Sequence, residues 1–75
     1  IRVNNLAPGY FNTEFNKKSW KNPELRKIRS QRSLLNRWGE PHEIIGPAIF
    51  LASDASSFMT GQDLYIDGGF LAKSL

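Results

Sequence analysis

Leu6-Ala7-Pro8-Gly9-Tyr10-Phe11-Asn12-Thr13-Glu14 is the stretch whose residue types and spacing suit chemistry. An apolar strand end passes into Pro-Gly, then two aromatics, then a threonine. Proline cannot donate to a ladder and glycine permits a sharp turn, so the chain leaves its sheet here to meet a ligand. The bland alternatives are local: a strand-ending turn at Pro8-Gly9, a helix or turn cap at Thr13, and core packing for the Tyr10 and Phe11 rings. Nothing else in the 75 residues looks able to hold a ligand alone. There is no cysteine, which excludes disulfides and thiolate metal sites, and the one histidine, His42, leaves little for an imidazole metal site or triad.

The elements that must position this loop follow from periodicity and caps. Residues 1–7 read as a strand, with Ile1 and Val3 on one face and an unalternating Leu6-Ala7 end, as in a strand covered on both sides. Tyr10 to Ser19 has no firm period and reads as a loop or short irregular helix. Asn22-Pro23-Glu24 starts a helix: Asn22 caps the first free amides, Pro23 suits the first turn, and Glu24 faces the positive end of the dipole. That helix is expected to run to about Arg32, burying Leu25 and Ile28 and presenting Arg26, Lys27 and Arg29 on its other face. A stronger helix is expected over residues 41–53, with Ile44, Ile45, Ala48, Ile49 and Ala52 as one apolar stripe. Pro47 inside it costs up to about 3 kcal/mol in a regular helix, so Gly46-Pro47 implies a close approach or a bend. Residues 63–67 read as a second strand, closed by Gly68-Gly69. Strands separated by helices point to a parallel sheet in an α/β layer.

Composition bounds the rest. The hydrophobic fraction of 40% is that of a globular chain. A domain this short removes only about 60% of its unfolded surface from water, so a core of its own is marginal. Eight of the ten lysines and arginines lie between Lys17 and Arg37, with Glu24 the only acid among them. Such a run is a patch for an acidic partner or, more economically, a solvated helix face beside an active site. It lacks the aromatic spacing of a nucleic-acid stacking platform, so no nucleic acid is expected. No stretch of ~20 apolar residues suggests a membrane span, and the expected location is cytoplasmic. The opening at Ile1, in mid-strand and without methionine, leads to the expectation of a piece of something longer.

Six motifs in register then resemble a known family: Arg2-Val3-Asn4; Ala7-Pro8-Gly9 with Thr13; Arg37-Trp38-Gly39-Glu40-Pro41; Phe50-Leu51-Ala52-Ser53-Asp54; Thr60-Gly61; and Asp67-Gly68-Gly69. Together they are similar to the C-terminal part of the short-chain dehydrogenases/reductases. The resemblance implies an α/β fold, the C-terminal portion of a single doubly wound, Rossmann-type parallel-sheet domain. In that arrangement the strand spans 1–7, the cofactor and substrate loop and lid 8–37, the helix 41–53 and the C-terminal strand 63–67. The implied activity is hydride transfer between NAD or NADP and a hydroxy or keto substrate. Carried over by position, Pro8 and Gly9 shape the turn, the Tyr10 and Phe11 backbone meets the nicotinamide carboxamide, and the Thr13 hydroxyl binds it or the nearby phosphate. Phe15 and Trp20 become candidate walls of the substrate lid.

The loop looks most like the gluconate 5-dehydrogenase-like branch, acting on a sugar acid or polyol, and the basic lid would suit a carboxylate. A 3-oxoacyl carrier-protein reductase, docking an acidic carrier on the same patch, is the alternative within the family. A non-catalytic oligomerisation module left by truncation is the alternative outside it. The family's Tyr-x-x-x-Lys pair is missing, since Tyr10 and Tyr65 are followed four positions later by Glu14 and Gly69. The segment alone is therefore expected to be inactive, with no catalytic residue of its own. Asn5, Ser33 and Asn36 depart from the family's usual small residue, proline and glycine; Asn36 is expected to tolerate a left-handed backbone. Phe58, Met59, Tyr65, Ile66, Phe70 and Leu71 give an apolar tail that implies a homodimer or tetramer.

Overall fold

The computed structural model describes residues 1–73. Strand β1 (Asn5–Pro8) leads through a 3₁₀ turn (Glu14–Asn16) into the short helix α1 (Lys17–Trp20) and then α2 (Pro23–Ser30). Helix α3 (His42–Ala52), a second 3₁₀ turn (Asp54–Ser56) and strand β2 (Asp63–Ile66) complete the order. The two strands pair in parallel, Asn5 opposite Asp63 through Pro8 opposite Ile66, as the alternation of strands and helices requires.

The predicted first strand is too long at its start. Residues 1–4 lie opposite the turn that precedes β2, where Gly61 adopts a left-handed φ of +70°, so no ladder can form there. They are held instead by individual bonds. The Val3 amide donates to Thr60 Oγ1 (3.1 Å), its carbonyl accepts from the Gly61 amide (2.7 Å), and Arg2 donates to the Ser56 carbonyl (2.7 Å) and the Met59 carbonyl (3.2 Å). The Arg2-Val3-Asn4 and Thr60-Gly61 motifs are thus two halves of one clasp.

Helix α2 begins as its cap dictates: Asn22 Oδ1 accepts from the amides of Glu24 (3.0 Å) and Leu25 (3.2 Å). It ends at Ser30, two residues short of the predicted Arg32. Helix α3 starts at His42 and ends at Ala52, one residue inside its predicted bounds at each end, and accommodates Pro47 within it. A Cβ added at Gly46 would meet nothing within 4 Å, so the close approach anticipated there is not made. Asn36 takes the left-handed conformation expected of it, with φ +54°. Strand β2 stops at Ile66; Asp67 already belongs to the turn, its carboxylate accepting from the amides of Gly69 (2.9 Å) and Leu71 (3.2 Å).

The expected burial of Leu25 and Ile28 does not occur: they are 37% and 50% exposed, and Ile45 and Ile49 of the α3 stripe are similarly open. Phe11 and Trp38 are the buried hydrophobic side chains among the described residues. The chain is a slab 15 Å thick with a radius of gyration of 14.0 Å, whereas a compact domain of this length would have about 11 Å. The amphipathic patterns are real, but their apolar faces find no partner within these residues.

Candidate functional site

The loop after β1 is anchored at both ends by close backbone approach. At Gly9, an added Cβ would lie 2.8 Å from Asp67 Cα, so only glycine lets the two strand ends run side by side, and the Gly9 amide donates to the Ile66 carbonyl (3.0 Å). Further along, the loop pairs with the Arg37-Trp38-Gly39 segment. Phe11 forms a parallel bridge with Gly39, whose amide donates to the Tyr10 carbonyl (2.8 Å) and whose carbonyl accepts from Asn12 (2.9 Å). A Cβ on Gly39 would sit 2.5 Å from Phe11 Cε2, which explains glycine at that position too.

The loop offers three donors that the described residues leave unused. The amides of Tyr10 and Phe11 donate to no protein acceptor, and the Thr13 hydroxyl makes no hydrogen bond. Thr13 precedes the 3₁₀ turn, yet its side chain does not cap it, which removes the local explanation for a threonine here. The rings of Tyr10 and Phe11 are packing groups, as their bland reading held. Phe11 is buried, and Tyr10 lies against Trp38 (centroids 5.3 Å) and edge-on to Phe70 (5.9 Å), with the Arg29 guanidinium 5.4 Å from its centroid.

The two predicted lid aromatics part company. Trp20 is half-buried and donates its Nε1 to the Thr13 carbonyl (2.8 Å), which fixes α1 directly on the loop. Phe15 is 98% exposed and is not brought together with the other candidates. Residues that the sequence reading did not place in the site do the connecting. Trp38, 2% exposed, donates to the Arg26 carbonyl (3.2 Å), and Arg26 donates to Asn12 Oδ1 (3.1 Å) and the Trp20 carbonyl (3.2 Å). Arg26 is therefore not on a free basic face, because its guanidinium is turned onto the loop. The Arg-Trp-Gly motif was visible as a motif, but nothing in its spacing says that the tryptophan is the centre of the core.

Electrostatics tighten the far end of this segment. Arg37 forms a two-pronged ion pair with Glu43 (2.7 and 2.8 Å), and Glu43 reaches back to accept from the Glu40 amide (2.9 Å), in the manner of a capping box. The Arg37 hydrogen bond, helped by that amide, lowers the Glu43 carboxyl to a pKa of about 2. Arg32 donates to the Tyr10 hydroxyl (3.2 Å), and Lys17 stands 3.9 Å from Glu14 in an exposed pair. Much of the basic run is thus spent on internal bonds, leaving Lys18, Lys21 and Lys27 as its exposed lysines toward the α1–α2 side. No group of three or more possible metal ligands exists among the described residues, and none of the helices described is long and apolar enough to cross a membrane.

A loop with unused amides beyond the carboxyl end of a parallel strand, beside two short helices, is the arrangement of α/β layers of the dinucleotide-binding kind. Residues 1–71 match the family model described as enoyl-(acyl carrier protein) reductase, and the chain belongs to the short-chain dehydrogenase/reductase family. It is 45% identical over 71 residues to a 5-keto-D-gluconate 5-reductase of Escherichia coli, covering 95% of this chain and 28% of that protein. It is 48% identical over 73 residues to an L-rhamnose-1-dehydrogenase of Scheffersomyces stipitis, covering 97% of this chain and 28% of that protein. Among solved structures it is similar to a gluconate 5-dehydrogenase from Burkholderia cenocepacia, in complex with NADP and tartrate. The TM-score is 0.89 at 44% identity, with 96% of this chain and 28% of that one covered. The chain thus spans about 28% of the length of the curated relatives it matches.

Proposed function

We propose that this chain is the C-terminal part of an NAD(P)-dependent oxidoreductase that moves hydride between the nicotinamide and a hydroxy or keto carbon of a sugar acid or polyol. The observation that carries the reading is the trio of unused donors on the loop: the Tyr10 and Phe11 amides and the Thr13 hydroxyl, gathered beyond the end of β1. These fit a nicotinamide carboxamide, which needs directed polar partners and little else, with Thr13 bonding it or the adjacent phosphate. Bound there, the nicotinamide supplies the hydride donor or acceptor. Pro8 and Gly9 hold the turn that aims the amides; Trp20 and Phe15 belong to the lid that keeps water from the reacting carbon. The relatives that act on 5-keto-D-gluconate and L-rhamnose support a substrate of polyhydroxy character.

The catalytic pair and a glycine-rich phosphate turn opening a helix are not among these residues, so they fall to the remainder of the protein, upstream of β1. Sequencing the coding frame tests this placement: a Tyr-x-x-x-Lys motif lying after this segment, with the segment first in the chain, overturns it. Thr13→Ala in the full-length protein tests the loop. A Kd for NADH or NADPH weakened about five- to tenfold is expected, the size of one hydrogen bond lost to a polar partner; unchanged affinity and turnover remove Thr13 from the site. The exposed apolar residues Tyr65, Phe70 and Leu71, with the outer face of α3, support a homo-oligomer formed through this end.

A second reading has its own support. The family model's description as a carrier-protein reductase and the exposed lysines of the lid favour an acyl chain delivered on an acidic carrier. Turnover of an acyl-carrier substrate that falls steeply with salt, with none on sugar acids, would establish that alternative.

A further inference from the structure

The side chain of Asn12 bonds on both sides at once. Its Oδ1 accepts from Arg26 Nη1 (3.1 Å) on the lid helix α2, and its Nδ2 donates to Glu40 Oε1 (3.0 Å), just ahead of α3. The two partners fix the amide's orientation, since a guanidinium can only donate and a carboxylate can only accept. The Asn12 backbone amide is also taken, by the Gly39 carbonyl (2.9 Å). The next residue is Thr13, whose carbonyl accepts from Trp20 Nε1 (2.8 Å), and the Trp20 carbonyl returns to the same Arg26 nitrogen (3.2 Å). A closed circuit results: Arg26 to Asn12, Asn12 to Thr13 along the chain, Thr13 to Trp20, and Trp20 back to Arg26. Arg26 is itself held, because its carbonyl accepts from both Ser30 Oγ (2.6 Å) and Trp38 Nε1 (3.2 Å).

We infer that Asn12 and Arg26 are positioning residues that set the direction of the Thr13 hydroxyl and couple it to the lid. The inference rests on the reading of Thr13 as a nicotinamide contact. Both side chains are spent on protein partners rather than offered to a ligand. With the circuit intact, the backbone on either side of Thr13 is bonded to a different element, α1 through Trp20 and the Gly39-Glu40 segment through Asn12, so the hydroxyl points where the loop points it. Without the Arg26 side chain, Asn12 keeps its Glu40 arm, the Trp20 carbonyl loses its partner, and the α2 side holds the loop through Arg29 and Arg32 at Tyr10 but no longer at Asn12, beside Thr13. The same bonds explain why Arg26, expected on a solvated basic face, turns instead onto Asn12, fourteen residues before it in the sequence.

The test uses the full-length protein and reads the Kd for NADPH or NADH by fluorescence, with thermal melting alongside. Arg26→Met and Asn12→Leu are each expected to weaken binding about tenfold, in the range of a hydrogen bond to a charged partner. In a Thr13→Ala background Arg26→Met should then add little, because its effect acts through the hydroxyl already removed; a merely structural role would add in full. Should the truncations melt too early to assay, a milder pair serves. Asn12→Asp keeps the Arg26 arm but sets two carboxylates face to face, weakening binding, and Glu40→Gln in that background restores it by exchanging donor and acceptor. Tight binding by both Arg26→Met and Asn12→Leu, while Thr13→Ala binds poorly, overturns the circuit and leaves the Thr13 reading standing. Failure of Glu40→Gln to restore binding to Asn12→Asp overturns the bridging role of Asn12. Unchanged binding by Thr13→Ala removes the reading beneath, and the inference with it.

Discussion

Two regions of this molecule are built to different degrees of completion. Around the loop, Phe11, Trp38 and the Arg37-Glu43 pair satisfy one another: the rings are buried, the indole bonds the Arg26 carbonyl, and no buried polar side-chain atom among the described residues lacks a partner. On the outer face of α3 and beside β2, Ile45, Ile49, Tyr65 and Leu71 are roughly half exposed. The first region is finished by contacts within the segment. The second leaves its apolar side chains open among the described residues, and the homo-oligomer proposed above would cover them.

That contrast can be broken most forcefully at its packed end. Trp38→Ala in the full-length protein is expected to cost about 3–5 kcal/mol of unfolding free energy, the usual range for removing a buried aromatic, as read by denaturant titration. A loss below that range would mean that the loop region is not a core. Gly9→Ala should cost about 1–3 kcal/mol through overpacking, because the added methyl meets backbone at Asp67 rather than a movable side chain. It should also disturb nucleotide binding more than its stability cost suggests, since it moves the turn itself.

The open region is sharpened by Ile49→Asp. If α3 stays uncovered in the assembled protein, the change falls within about 0.5 kcal/mol, as at other surface sites. Covered, as proposed, it should shift the sedimentation coefficient toward the monomer or lower the melting temperature by several degrees. The smallest expected effect belongs to Glu43. Its folded pKa of about 2 lies below the ordinary value of 4.5, so its contribution is fully present above about pH 4.5 and is lost as pH falls toward 2. Melting temperatures of the parent and Glu43→Gln should therefore differ at pH 7 and converge as the pH falls through that window. A constant gap across it would show that the ion pair contributes nothing to pH dependence.

Legibility in the sequence followed the range of the interaction. The Asn22 cap, the starts of α2 and α3 and the left-handed Asn36 depend on residues within a few positions of one another, and each is readable; the parallel pairing, which joins Asn5 to Asp63 across most of the chain, is readable only through the alternation of strands and helices. The start of β1 is not legible in the sequence because pairing is decided by the facing chain, which bends at Gly61. Leu25 and Ile28 were misjudged for a related reason: a stripe says that a face wants burial, not that a partner is present. In the candidate site, Pro8, Gly9 and Thr13 announced themselves as a strand-ending loop, while Asn12 and Arg26 did not, since their bond spans fourteen positions and looks like ordinary polar composition.

By itself the sequence determined the element types, the turn chemistry at Pro8-Gly9 and Gly68-Gly69, and the family, because caps, left-handed turns and motif spacings are local and steric. Only the tertiary structure decided that Trp38 is the core, that Arg26 faces the loop rather than water, and that the Thr13 hydroxyl finds no partner among the described residues. Those outcomes depend on which surfaces meet once the strands align, and on backbone approaches as close as Gly9 to Asp67 and Gly39 to Phe11, which admit no side chain.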